Sequence, residues 1–253
     1  MKLSRIIILF LCAVGMMFLS GCYYFRLQET KSQLMNFDKY YILEDSNQFS
    51  ISASKPMLYP DDVVRIFKSE PAAKEQTTSE LYYDYVLEKQ YQAGKDEQGD
   101  YNIKLRFVFT DGKLNKLLID ERFFAILPKN VVAALARSLG DAKIDVRNRR
   151  LSLNLNVSQI HLPDVNEVAA SLGKPSWQKD NRYVYNYLRK NPNEKNNNGK
   201  PAWADFVFDK QGKCIKCRNR VFGIPFEMDT EKQLLSGTKT DGQTVQLKIV
   251  VNR

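Results

Sequence analysis

Reactive side chains are scarce in this chain of 253 residues, which has one histidine, His161, and four cysteines. A Ser-His-Asp triad or a histidine metal centre would have to be built on that single imidazole. His161 lies in a stretch leading into a helix, where an internal match described below has Leu58, so it reads as structural or solvent-facing. Cys214-x-x-Cys217 has no second pair and no histidine beside it, a weak pattern for zinc. It follows Gly212 on an expected strand, where residues three apart point to opposite faces about 10 Å from each other. That is too far for a disulfide, so the two read as small buried apolar residues. A local bulge permitting a disulfide is the alternative. The sequence has no glycine-rich phosphate loop and no Gly-x-Ser-x-Gly elbow. Asp61/Asp62 and Asp120/Glu121 are the paired carboxylates, and they read as helix-start charge and a solvated strand edge. No grouping of nucleophile, base and orienting residue emerges, and no enzyme is expected.

Long apolar runs are equally scarce. There is one, Ile6 to Phe18, behind Lys2 and Arg5 and ahead of Leu19-Ser20-Gly21-Cys22. A spanning helix needs roughly 20 apolar residues, so this run is a signal-peptide core. The Leu-Ser-Gly-Cys ending resembles the lipobox of bacterial lipoproteins. The resemblance implies a leader over 1–21 that is removed, and a covalent lipid on Cys22 as the only added group, with no other cofactor. Acyl chains contribute about 0.8 kcal/mol per buried methylene, and two or more make anchoring stable. Tyr23 stands where an Asp would retain an enterobacterial lipoprotein at the inner membrane, so the resemblance implies the outer membrane, with the body facing the periplasm.

Removing the leader lowers the basic residues from 38 to 36 against 29 acids and leaves the mature body at +7. Nucleic acid is not an expected partner of an exported protein. A basic surface there suits anionic lipid, envelope polyanions or an acidic protein face, or is solvated charge without a partner.

What the chain does contain is an internal match between residues 49–128 and 151–225, offset by about 100 positions. Phe49-Ser-Ile-Ser-Ala53 answers Leu151-Ser-Leu-Asn-Leu155, two alternating strands. Leu58-Tyr-Pro-Asp61 answers His161-Leu-Pro-Asp164, each opening a helix. The apolar stripes are Val63, Ile66 and Phe67 in one copy, and Val165, Val168, Ala169 and Leu172 in the other. Gly173 and Pro175 stop the second helix. Tyr83 to Lys89 answers Tyr185 to Lys190. Phe107-Val-Phe109 with Asp111-Gly-Lys113 answers Phe206-Val-Phe208 with Gln211-Gly-Lys213, the glycines marking hairpin turns. Phe123 to Pro128 and Val221 to Pro225 close the copies. Leu114 and Leu117 align with Cys214 and Cys217. Further helices are expected over 26–38, with Leu27, Leu34 and Met35 as apolar contacts, and from Val131 to Leu139. Strands are expected at 144–146 and 245–251.

The expected fold is therefore α+β: two repeated units, each with short helices on one face of an antiparallel sheet. The segments are a leader (1–21), a lipidated N-terminus with linker helix (22–48), and two units (49–146 and 147–253). The order of elements, carried by Val165 to Pro175, Tyr183 to Tyr187 and Phe206 to Lys213, resembles the small outer-membrane lipoproteins of the β-barrel assembly machinery and the β-lactamase-inhibitor-protein fold. The first copy departs from it, because Lys68-Ser-Glu-Pro71 lacks the glycine, and two units stand where the barrel-assembly subunit has one. The resemblance implies a non-catalytic envelope protein.

The expected function is a membrane-anchored binding or scaffold module for another envelope component, an envelope protein. The alternative is a lipid-tethered binder of cell-wall glycan or anionic lipid. Candidate contacts are the basic group Lys143, Arg147, Arg149 and Arg150, and the period-two row Tyr183, Tyr185 and Tyr187. That row reads first as core beneath the helices and otherwise as a sugar-stacking face. Two polar loops, 90–100 and 191–201, are further contact candidates.

Overall fold

The computed structural model describes residues 23–91, 100–141, 143–145, 150–156, 162–190, 192, 201–221, 224–229, 234–235, 238–239 and 244–250. Of 143–145, 150–156, 221, 224–225 and the three strands beyond 229, the backbone alone is described.

Helix α1 (23–35) and the one-turn α2 (Phe37–Tyr40) lead into β1 (Tyr41–Glu44) and β2 (Ser50–Ala53). Helix α3 (Pro60–Phe67) precedes β3 (Ala73–Gln76), β4 (Glu80–Gln90), β5 (Ile103–Thr110) and β6 (Lys113–Ile119). Then come α4 (Phe123–Ile126), α5 (Lys129–Ser138), β7 (Lys143–Asp145) and β8 (Arg150–Asn156). Helix α6 (Val165–Leu172) precedes β9 (Trp177–Lys179), β10 (Arg182–Arg189), β11 (Pro201–Phe208), β12 (Cys214–Val221) and β13 (Ile224–Asp229). The last strands are β14 (Leu234–Leu235), β15 (Thr238–Lys239) and β16 (Thr244–Val250).

The result is a mixed α/β molecule built on a large antiparallel sheet with a few helices. Among the described residues the sheet has thirteen strands in the order β1-β2-β6-β5-β4-β10-β11-β12-β13-β14-β15, with β3 beside β4 and β9 beside β10. β16, β8 and β7 form a separate three-stranded sheet.

Local sequence explains the elements. Asp164 accepts from the Asn166 and Glu167 amides while Glu167 accepts from the Asp164 amide, a capping box that starts α6. Gly173, at φ 67°, ends it. β5 turns into β6 through Asp111 and Gly112, both at positive φ, as a tight hairpin requires.

Alternation sends Tyr83, Tyr85, Leu87, Leu105, Phe107 and Phe109 to the same side as Tyr185, Tyr187, Phe206 and Phe208. This is the side covered by helices. Phe67 of α3 stacks on Tyr85 with ring centroids 4.6 Å apart, and Val168 and Leu172 of α6 are fully buried in the same core. Burying each such side chain stabilises by roughly 1.5–3 kcal/mol.

Several expected features moved. α1 is described from 23 and ends at 35, short of the expected 38, and Met35 is 57% exposed instead of packed. Ile66 is 47% exposed and stands outside the stripe of α3. Phe123–Ile126 is a short helix, whereas its matched stretch, 221–225, holds the last residue of β12 and the first two of β13. The matched strands also part company: β2 pairs with β6, but β8 pairs with β7 and β16. β13 takes the place beside β12 that β2 has beside β6. A sequence-adjacent strand closes a short loop at low entropic cost, so it wins that edge from β8.

Candidate binding surfaces

The outward parity of the sheet forms the other broad face. On it Asp84 of β4 accepts from Arg106 Nε and Nη2 of β5 at 2.7 and 2.8 Å, with Lys104 at 3.5 Å. Burial alone would push the Asp84 carboxyl up, but Arg106 and Lys104 outweigh it and hold the group below the ordinary carboxylate range. A depressed carboxyl contributes stability above its unfolded value and loses that contribution as pH falls through the folded value. Asp84→Asn is therefore expected to cost about 1 kcal/mol at neutral pH, the ion pair being partly solvated. In urea titrations the difference from the wild type should vanish in acid; a difference persisting unchanged there would contradict this account.

Asp205 of β11 repeats the device with the partners reversed. It is 3% exposed and receives Arg182 from β10 at 2.8 and 2.9 Å and Arg218 from β12. Around it stand both tryptophans of the chain. Trp177 lies opposite Val184, which lies opposite Asp205, and Trp203 lies opposite Asn186 and Arg220. Directly opposed residues of paired strands share a face, so both indoles sit on the open side. Trp177 is 40% exposed under the Arg182 guanidinium, 5.7 Å from its ring centre. Lys179, Arg182, Lys216, Arg218 and Arg220 outnumber Asp205, Glu227 and Asp229 on this part of the sheet. Nothing in the sequence reading singled it out. The signal was available as strand parity, since Trp203 alternates with the inward Ala202, Ala204 and Phe206.

The anticipated contacts fare differently. Tyr185 and Tyr187 are 0% and 1% exposed and Tyr183 is half-buried against the core. The row therefore packs under the helices, with Tyr185 and Tyr187 closed off from solvent. Tyr185 donates to the Gly173 carbonyl behind α6, and Tyr85 donates to Ser69 behind α3. Of the basic group, Lys143 and Arg150 fall on β7 and β8, where the backbone alone is described. Arg147 and Arg149 lie outside the described residues, as do Cys22, His161 and most of both polar loops, 92–99 and 193–200.

Cys214 and Cys217 are free and fully buried. They share the inward face, contrary to simple alternation, because the register between β11 and β12 slips at Val207/Phe208 and leaves Ile215 as an extra residue. β5 and β6 slip in the same way at Val108/Phe109, around Asn115, so Leu114 and Leu117 also turn inward together. Burial pushes the Cys214 thiol up to about 12 and the Cys217 thiol well above its usual value. Neither is expected to react with a maleimide in the native protein, and both should react on unfolding. Rapid native labelling, read by mass spectrometry, would contradict that.

The last surface lies along α1, around Tyr23 and Arg26. Arg26 reaches Asp62 of α3 through Nε and Nη2, both at 2.7 Å, and Asp62 is 1% exposed while also accepting the Tyr59 amide. Arg26 also covers the Tyr59 ring at 4.8 Å, and Arg65 covers the Tyr23 ring at 5.2 Å. A groove of about 540 Å³ runs between them, lined by Tyr23, Arg26, Tyr59, Asp62, Arg65 and Tyr83. At its other end α1 meets Gly140, where a Cβ would come within 2.1 Å of the Met35 nitrogen. The described part of the helix is thus fastened to the body at Arg26 and again at Met35.

Among the described residues no helix is long and apolar enough to cross a membrane, and none of His, Cys, Asp or Glu group in threes as a metal site. Compared with protein-family models, with curated proteins and with solved structures, the chain finds no match.

Proposed function

We propose that this chain is a bacterial envelope lipoprotein, anchored in the outer membrane by lipid on Cys22 with its body in the periplasm. Its role is non-catalytic: two duplicated α/β units serve as a binding or scaffold module for another envelope protein. The anchor rests on the Leu19-Ser-Gly-Cys22 ending behind a short apolar core. The duplication is supported by geometry. β4 and β10 pair antiparallel with Glu88 opposite Leu188, residues 100 apart, so a local two-fold axis runs through that pair. About it, Tyr85 answers Tyr185 and the two bulges answer each other.

The observation that carries the binding role is the outward patch of Trp177, Trp203, Arg182 and Arg220. Tryptophan and arginine dominate the energetic centres of protein interfaces, and the excess of cations suits an acidic partner face. A photo-crosslinking residue at 177 or 203, activated in cells, should recover one dominant protein. Recovery of peptidoglycan or lipid alone would reverse the assignment. For the anchor, globomycin should accumulate the precursor and Cys22→Ser should release the protein from membranes; if neither happens, the localisation is wrong.

A further inference from the structure

The two most exposed large hydrophobic side chains of the described body are Tyr24 at 69% and Phe25 at 63%. Both lie on α1, two and three residues after Cys22 in sequence. Tyr23 and Arg26 turn inward to α3, which sends 24 and 25 outward. The exposed Tyr59 and Ile66 flank the same contact from α3: Tyr59 under Arg26, and Ile66 one turn along from Asp62 and beside Arg65. Tyr24, Phe25 and Ile66 have no place in the core, to which α3 gives Val63, Val64 and Phe67 instead.

We infer that Tyr24, Phe25, Tyr59 and Ile66 form a seat that lies in the interface of the lipid bilayer and sets the tilt of the body upon it. The inference rests on the proposed acylation of Cys22, which puts the bilayer surface within a residue or two of Tyr23. Tyrosine and phenylalanine suit that layer: rings bury in the acyl boundary while hydroxyls and the neighbouring Arg65 meet headgroups. The Arg26–Asp62 pair and the close approach at Gly140 keep the described part of α1 from swinging, so immersion of Tyr24 and Phe25 fixes the whole molecule.

The test uses the acylated mature protein in phosphatidylcholine vesicles. One position at a time, Tyr24, Phe25, Ile66 or the exposed Asp180 in the β9–β10 turn is changed to Cys and given an environment-sensitive fluorophore. Cys214 and Cys217 stay unlabelled because they are buried. Emission at 24, 25 and 66 should shift to the blue, and spin-labelled lipid should quench it roughly threefold more than at 180, as for groups buried ~5–10 Å into the headgroup boundary. Water-like emission at 24, 25 and 66 in protein whose intact mass includes the acyl chains would overturn the seat alone. A blue shift that grows with protein concentration without vesicles would also overturn it, naming a second copy as the occupant. A mass without acyl chains would overturn the anchor. In that case the same labels still decide the seat, supported by a vesicle-dependent shift and overturned without one.

Discussion

Arg26→Ala is expected to lower the unfolding free energy by about 3 kcal/mol, because it strands the buried Asp62 carboxylate without its bidentate partner. The ion pair is worth less than that in its own right. Most of the loss is the cost of a charge left buried without its counterion, where among the described residues Asp62 retains the Tyr59 amide at 2.9 Å. Asp62→Asn added to Arg26→Ala should therefore recover part of the stability, to a net loss of roughly 1–2 kcal/mol, since an amide keeps an acceptor for Tyr59 and carries no charge. Urea midpoints of the four variants of this cycle measure the coupling. Limited proteolysis should cut within α1 in the single variant before the rest of the chain. Equal losses in the single and double variants would mean that Asp62 is solvated when Arg26 is removed, and the clamp would be weaker than its geometry implies.

The same pair illustrates where reading the sequence stops. Helix-start acids at 61 and 62 were legible as charge at a positive helix end, but nothing within the local window links Asp62 to a residue 36 positions earlier. Period-two alternation and the glycine turns, by contrast, are local, and they located the strands on either side of Gly112 and Gly212 and the inward tyrosines. Ile66 was misread because helical spacing cannot distinguish a residue facing the core from one facing an outer neighbour. The strand expected at 151–155 is present, but its neighbours differ from those of its match at 49–53, since pairing depends on which edge is already filled. The outward tryptophans escape a reading of the apolar face, because an alternating strand has two faces and Trp203 lies on the polar one.

Strand parity also held a signal in Lys89 and Arg189, cations on the inward side of otherwise apolar rows and 100 residues apart. Each crosses the β4–β10 seam. Lys89 Nζ donates to the carbonyl of Leu172, the last residue of α6, at 2.5 Å, and Arg189 Nη1 donates to that of Phe67, the last residue of α3, at 3.3 Å. Both carbonyls are among those that a helix end leaves unsatisfied, and a cation there also suits the negative end of the helix dipole. Lys89 is further surrounded by the rings of Tyr101, Tyr91 and Tyr185 at 4.6, 5.1 and 5.6 Å, which offsets its loss of water. A side chain of β4 thus holds the end of α6, and one of β10 holds the end of α3. Lys89→Met, which keeps the apolar stem, is expected to cost about 2 kcal/mol, and Lys89→Ala about 3, with Arg189→Met similar to the first. Because the contacts are reciprocal, either change should lower a single shared transition. Amide exchange followed in β5 and in β11 should lose protection together, whichever side is altered. If Lys89→Met released β11 while β5 kept its full protection, the two halves would be separately stable and the crossed contacts merely local caps.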